Sequence, residues 1–324
     1  MITTHAPLVS IDLLADRNRN LAGLVIDAGP EGGAGMEDLP WQEELSKLAG
    51  QISCFFIPDT PMKKALLAAG LAPLDRTTLQ HSDQLASLSP QANYIAGNWY
   101  LAPPAKPTGA QAASRALALQ LVQLVTADAD THEIEAVLRR DPALSYHLLR
   151  LVNSLGMGMS RQITSFSQAI LILGRAQLRR WLNLMLFSSR ANDERSAMLL
   201  ARVAVRARAM ELCAKAAGMD KSAQEVAFMT GMFSLLGILF GMPLAEVLKP
   251  LKVSTALLNA VLEYEGDLGQ LLRLIEHVER KEPAEAAALL VQWHVPAEEF
   301  NQLLIEAHGW MLGVVRESRG AGNA

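Results

Sequence analysis

The stretch Val226–Ala245 reads VAFMTGMFSLLGILFGMPLA, twenty residues with no charge among them. Its length matches a membrane span. Yet it holds Gly231, Gly237, Gly241 and Pro243, together with Thr230 and Ser234. It lacks the flanking Lys/Arg cluster and the Trp/Tyr belt that accompany a span. A helix buried on every side inside a protein carries the same pattern. The second reading is adopted. The segment is predicted to be a core helix, and no membrane partner is expected.

The rest of the composition supports a large core. Half of the 324 residues are apolar, 19% are charged, 5% are aromatic, and the mean hydropathy is +0.17. Global disorder is excluded. Two cysteines, Cys54 and Cys213, exclude a disulfide-dense scaffold and a multi-cysteine zinc site. The 29 basic and 33 acidic residues leave a net charge of −4, which is no footprint of nucleic-acid binding. The opening Met-Ile-Thr-Thr-His lacks the basic and apolar regions of a signal peptide, so a cytoplasmic location is expected.

Outward from the central stretch, residues 112–324 read as helices throughout. Asp130 is placed to cap a helix with Glu133 at N3, and Asp141-Pro142 opens another. Leu144, Leu148, Leu151, Val152 and Leu155 form one apolar stripe. Ser165 with Gln168, and Ser222 with Glu225, have capping-box spacing. Val203, Ala207, Met210, Ala214 and Ala217 make a stripe of mostly small residues, suited to close helix packing. Further helices are predicted at about 255–264, 268–280, 284–293 and 297–316. Residues 1–106 differ. Leu21–Ile26 and Ile52–Ile57 are predicted strands, Trp41–Leu48 and Met62–Ala69 predicted helices, in a Gly- and Pro-broken α/β pattern. The proline-rich run Pro103–Pro107 suits an inter-domain linker, placed at 107–111.

Few residues advertise chemistry. None of the seven histidines forms an HxxxH or HExxH pair, the spacing that puts two ligands on one helix face. No GxSxG elbow, P-loop or GxGxxG is present, and Cys213 reads as a small core residue. Gly32-Gly33-Ala34-Gly35 has no following Lys or Ser/Thr and reads as a loop. No catalytic residue, metal ligand or cofactor is therefore expected. Two groups of arginines stand out: Arg175, Arg179 and Arg180 on one helix, and Arg202, Arg206 and Arg208 on another. Like charges at i,i+4 call for acidic partners. Those partners are Asp193, Glu194 or Glu211 within the fold, or else an acidic protein surface or a phosphate.

Asp141–Trp181, DPALSYHLLRLVNSLGMGMSRQITSFSQAILILGRAQLRRW, resembles the HDOD domain, the HD-related output domain of bacterial signalling proteins. The similar parts are Asp141-Pro142, Leu149–Ser154, Ile163–Gly174 and the basic helix after them. The resemblance runs on through Ala207–Ala214 and Gly231–Leu244, covering about residues 110–315. Metal-dependent HD phosphohydrolases are similar to Gly-Leu-Leu-His-Asp-Ile-Gly where this chain has Gly231–Gly237, so Ser234 and Leu235 stand at the His and Asp positions. Leu offers no lone pair and a serine hydroxyl replaces imidazole poorly. Leu14–Asp27 and Tyr94–Pro107 resemble the opening and closing segments of an EAL domain, a cyclic di-GMP phosphodiesterase fold. The span between them is too short for a whole barrel, and no Glu-Ala-Leu ends a strand.

The resemblance implies a mainly α protein: an all-α HDOD domain at 112–324 preceded by a small, degenerate EAL-like α/β region at 1–106. It implies a non-catalytic regulator, a scaffold that docks protein partners among signalling components. Arg175, Arg179, Arg180, Arg202 and Arg206 are the candidate partner-binding residues. The alternatives are a module that senses a cyclic dinucleotide without hydrolysing it, and a divergent HD-type phosphohydrolase.

Overall fold

The protein was described from a computed structural model, over residues 7–28, 39–84, 89–104, 110–138, 140, 177, 179–180, 182–184, 187, 193–251 and 253–319. The Leu144–Leu155 stripe, Ser165 with Gln168, the Gly32–Gly35 loop, Arg175 and the segment 141–176 lie outside the described residues.

The N-terminal part is built on a six-stranded sheet of order β4-β3-β2-β1-β6-β5. Its strands are β1 (Ser10–Ala15), β2 (Leu21–Asp27), β3 (Ser53–Phe56), β4 (Ala72–Pro73), β5 (Leu79–His81) and β6 (Tyr94–Ala96). β1 and β2 form an antiparallel hairpin, while β2–β3 and β3–β4 run parallel through the crossover helices α1 (Gln42–Ala49) and α2 (Lys63–Ala68). The hairpin turn is closed by the Asp16 carboxylate, which accepts the Asn20 N–H at 2.8 Å. Strand alternation sorts the side chains. Ile11, Leu13 and Ala15 join the main core, whereas Leu14, Val25, Leu74 and Ala96 form a small cluster on the opposite face. The predicted strands and helices of this part are present, with every end within one residue of the expected bound.

The remainder is helical: α3 (Ala110–Thr126), α4 (Thr131–Leu138), α5 (Ser196–Ala216), α6 (Lys221–Phe233), α7 (Leu236–Phe240), α8 (Leu244–Leu248), α9 (Thr255–Glu263), α10 (Gly266–Glu279), α11 (Pro283–Gln292) and α12 (Ala297–Arg319). Ala110 and Gln111, placed in a linker by the sequence, belong to α3.

Two expectations change here. Val226–Ala245 is not one continuous helix. Ser234 turns its hydroxyl back to the Gly231 carbonyl at 2.7 Å, and Leu235 leaves helical geometry with φ −104°. α7 then ends at Gly241 in the left-handed region, φ +60°, two residues before Pro243. A Cβ at Gly241 would lie 2.7 Å from Pro104 Cγ, so only glycine fits both the turn and the approach of the N-terminal segment. The stretch Lys221–Phe240 is long and apolar enough to cross a membrane by length and composition, and 56% of its most apolar window is buried within the fold. The helix buried on every side is α5, which includes Arg202 and Arg206 among its buried residues. The second change is the cap of α6. Asp220, not Ser222, is the N-cap, and its carboxylate accepts the Ala223 N–H at 2.8 Å. Glu225 is drawn instead to Arg180.

The small-residue stripe of α5 does bring α6 close. A Cβ on Gly231 would meet Ala207 Cα and the Arg206 carbonyl at 2.9 Å. One hydrophobic core runs through both parts of the chain, from Val9 and Leu24 to Ile305 and Val315. Polar ties join them as well. Asn301 accepts the Val9 N–H at 3.0 Å and donates to the Pro7 carbonyl at 2.7 Å.

Candidate functional site

The most concentrated chemistry among the described residues lies between α5, α10 and the end of α6. Arg202 and Arg206 are one turn apart on α5, and Glu276 and Glu279 one turn apart on α10. Packing the two helices face to face therefore sets two cations against two carboxylates. Arg202 and Arg206 are only 6% and 5% exposed, so each guanidinium must find its partners inside the protein.

They do so in a closed network. Arg206 grips Glu279 with two bonds, Nε to Oε1 at 3.1 Å and Nη2 to Oε2. Its Nη1 donates to Glu276 Oε1 at 3.1 Å and to Ser234 Oγ at 2.9 Å. The Ser234 hydroxyl in turn donates to the Gly231 carbonyl. Glu276 Oε2 accepts the Tyr264 hydroxyl at 2.8 Å and Arg280 Nη2 at 3.0 Å. Arg202 stands 3.6 Å from Glu279 Oε1 and donates to the Tyr100 hydroxyl from Nε at 3.0 Å and from Nη2 at 2.7 Å. Tyr100 belongs to the N-terminal part, in a single 3-10 turn at Trp99–Leu101.

The electrostatics follow from burial and pairing. Burial works against the charged Glu279, but Arg206 and Arg202 outweigh it and hold the carboxyl below its ordinary value. Burial likewise opposes charge on Arg206 and Arg202, and their partners outweigh it and raise both. Burial raises Tyr100 and Tyr264, which stay neutral hydroxyls. His308, packed nearby on α12, donates from Nδ1 to the Leu304 carbonyl, 2.8 Å away. Burial pushes it down to about 4, so it is uncharged at neutral pH. Both cysteines are pushed up to about 12 by burial, which keeps them as thiols and not nucleophiles.

This arrangement fixes a positive charge at the position where the HD resemblance places a metal. The residues present do not fit a divalent ion there. Leu235 has no donor atom, the Ser234 hydroxyl is engaged on both sides, and a guanidinium already stands 2.9 Å from it. Among the described residues no group of three His, Cys, Asp or Glu is placed to hold a metal ion. Among the described residues the Ser234 hydroxyl donates to the Gly231 carbonyl, which is no base, so it is not an activated nucleophile.

Of the other arginines singled out from sequence, Arg179, Arg180 and Arg208 each meet a carboxylate. Arg180 bonds Glu225 at 2.7 Å and Glu211 at 2.7 Å, with its guanidinium over the Phe228 ring. Arg179 reaches Asp128 at 3.4 Å. Arg208 bridges Glu211 and Glu306 at 2.7 and 2.6 Å. Three of the five residues expected to face a partner, Arg180, Arg202 and Arg206, are thus internal ion-pair members. Of the acids suggested as their partners, Glu211 does serve Arg180, whereas Asp193 pairs with Arg195 and Glu194 with Arg19. Glu276, Glu279 and Tyr100 were not foreseen. The signal available was an i,i+3 glutamate pair on an amphipathic helix, matching an i,i+4 arginine pair elsewhere.

Comparison with known proteins places this site in context. The model of the HDOD domain family matches residues 113–308. The chain is 31% identical over 201 residues to the cyclic di-GMP phosphodiesterase CdgJ of Vibrio cholerae, covering 62% of this chain and 46% of that protein. It is 28% identical over 175 residues to the uncharacterized protein YuxH of Bacillus subtilis, covering 53% of this chain and 42% of YuxH. The chain thus spans under half the length of both relatives. Among solved structures it is similar to one named "Putative phosphohydrolase" from Shewanella amazonensis SB2B, at TM-score 0.41 and 15% identity, over 62% of this chain and 93% of that one. The match to CdgJ corrects the expectation of a non-catalytic scaffold that is not an enzyme. The relative with 31% identity is named for hydrolysing a cyclic dinucleotide, which favours the hydrolytic alternative.

Proposed function

Because the chain belongs to the HDOD family, we propose that it acts in the hydrolytic turnover of cyclic di-GMP. The observation that carries this reading is the 31% identity over 201 residues to CdgJ, named a cyclic di-GMP phosphodiesterase. The substrate class is a cyclic dinucleotide, and the bond acted on is its phosphodiester. No step of that reaction runs through Ser234 or Leu235, whose surroundings are filled by Arg206.

The N-terminal sheet is a shortened EAL-like region in this proposal. Two observations support it: the similarity of Leu14–Asp27 and Tyr94–Pro107 to the ends of that domain, and the parallel run β2-β3-β4 with crossover helices, the pattern of a barrel fragment.

Calorimetric titration of the full chain with cyclic di-GMP tests the ligand. The expected result is saturable heat at one stoichiometry. Absence of heat at protein concentrations of about tens of micromolar contradicts the proposal, since even a micromolar complex is well populated there.

A further inference from the structure

We infer that the buried charge cluster is a latch between the two parts of the chain, with Arg206 supplying the cation beside Ser234 and Arg202 carrying the same cluster to Tyr100. The inference does not rest on the cyclic di-GMP reading. It begins with the hub. Glu279 faces both arginines through one oxygen, Oε1, at 3.1 Å from Arg206 Nε and 3.6 Å from Arg202 Nη1. Arg206 binds inward, to α10 and to the turn after α6. Arg202 binds outward, and the two N–H groups that it aims at the N-terminal part both end on the Tyr100 hydroxyl. Tyr100 is 1% exposed, so water does not replace that hydroxyl if it withdraws.

A second tie starts two residues beyond the hub. Lys281, in the left-handed region at φ +59°, reaches Asp12 of β1 at 2.7 Å and Asp27 of β2 at 3.3 Å. Four cations (Arg202, Arg206, Arg280 and Lys281) and four carboxylates (Glu276, Glu279, Asp12 and Asp27) therefore pair at the junction, and the Lys281 pairs cross it. The cluster is neutral as a whole and charged in each half: the N-terminal part brings two carboxylates and a hydroxyl, the helices the surplus of cations. Separating the parts strands charge on both sides. Such a network opens as a unit rather than bond by bond. The place where an HD enzyme would bind its metal has become the fastening of the N-terminal sheet.

Hydrogen exchange on the full chain tests the latch with Tyr100→Phe, which keeps the ring and removes the acceptor. The expected result is exchange faster by about tenfold or more in residues 10–27 and 266–281, the loss of a hydrogen bond to a charged group. Residues 283–292 keep their wild-type rates. Addition of Mn²⁺ or Zn²⁺ to the wild type leaves residues 202–235 unchanged. Unaltered exchange in 10–27 and 266–281 overturns the inference, as does metal-dependent protection of 202–235. Should Tyr100→Phe speed exchange in every segment, Asp12→Asn loosens the Lys281 tie instead. Faster exchange confined to 10–27 and 266–281 then supports the latch, and no local change overturns it.

Discussion

Arg206 donates from Nη1 to the Ser234 hydroxyl at 2.9 Å, so a guanidinium stands beside the position where the HD resemblance sets the His-Asp pair of metal-dependent enzymes. A positive charge is retained there, but it is covalently part of α5 and is neutralised by α10. The same guanidinium ties α5 to α10 through Glu276 and Glu279.

Removing Arg206 leaves Glu279 buried without its bidentate partner. Arg206→Met is expected to cost about 3–5 kcal/mol, the range for breaking a buried ion pair from one side. Adding Glu279→Gln to the same chain removes the stranded charge and should recover at least half of the loss. Urea unfolding of the single and double variants measures both. Additive losses would mean that the two side chains do not act as a pair.

Acid should weaken the protein in two stages. His308 has a folded value of about 4, depressed chiefly by burial, against about 6.5 in the unfolded chain. The unfolded state therefore binds the extra proton first, and stability falls as pH drops from about 6.5 to about 4, by about 3 kcal/mol. Glu279 is also depressed, because Arg206 and Arg202 outweigh its burial. Its contribution is present above the unfolded carboxyl value and is lost as pH falls through the lower folded one. Thermal unfolding against pH should show the first stage vanish in His308→Met while the second remains.

Cys54 and Cys213 are buried and pushed up to about 12 by desolvation. Iodoacetamide at pH 8 should label neither thiol in the folded chain and both in guanidinium. Mass spectrometry reads the difference directly, and rapid labelling of the native protein would show that these positions open to solvent.

Gly231→Ala puts a methyl group 2.9 Å from Ala207 Cα, against backbone that cannot rotate away. α5 and α6 must separate slightly, at a cost of about 1–3 kcal/mol. Ala207→Gly in the same chain does not restore the loss, because the contact is with backbone. The midpoint of thermal unfolding checks this.

Much of the architecture was legible. The short apolar run Leu21–Ile26 and the helical pattern at 297–316 each led to the observed element, because run length and flanking residues separate a buried strand from a helix. Val226–Ala245 misled in one respect. Its apolar character signals burial but not continuity, and the break at Ser234-Leu235 depends on a side-chain bond to Gly231. α5 misled more deeply. Arg202 and Arg206 read as partner-binding residues, yet both are buried by partners seventy or more residues away in sequence or on the N-terminal part. Local pattern carries no information about such pairings. For the same reason Arg180 read as a docking residue, although Glu211 and Glu225 enclose it. That Ser234 and Leu235 stand at the His and Asp positions was legible through the HD resemblance. The arginine that fills their place was not.

Chromatography of cyclic di-GMP incubated with the purified full chain and Mg²⁺ or Mn²⁺ is the most direct test of the proposed activity. Linear dinucleotide accumulating in proportion to protein is the predicted result. Intact cyclic di-GMP at every protein concentration, indistinguishable from the blank, would contradict hydrolysis by this chain.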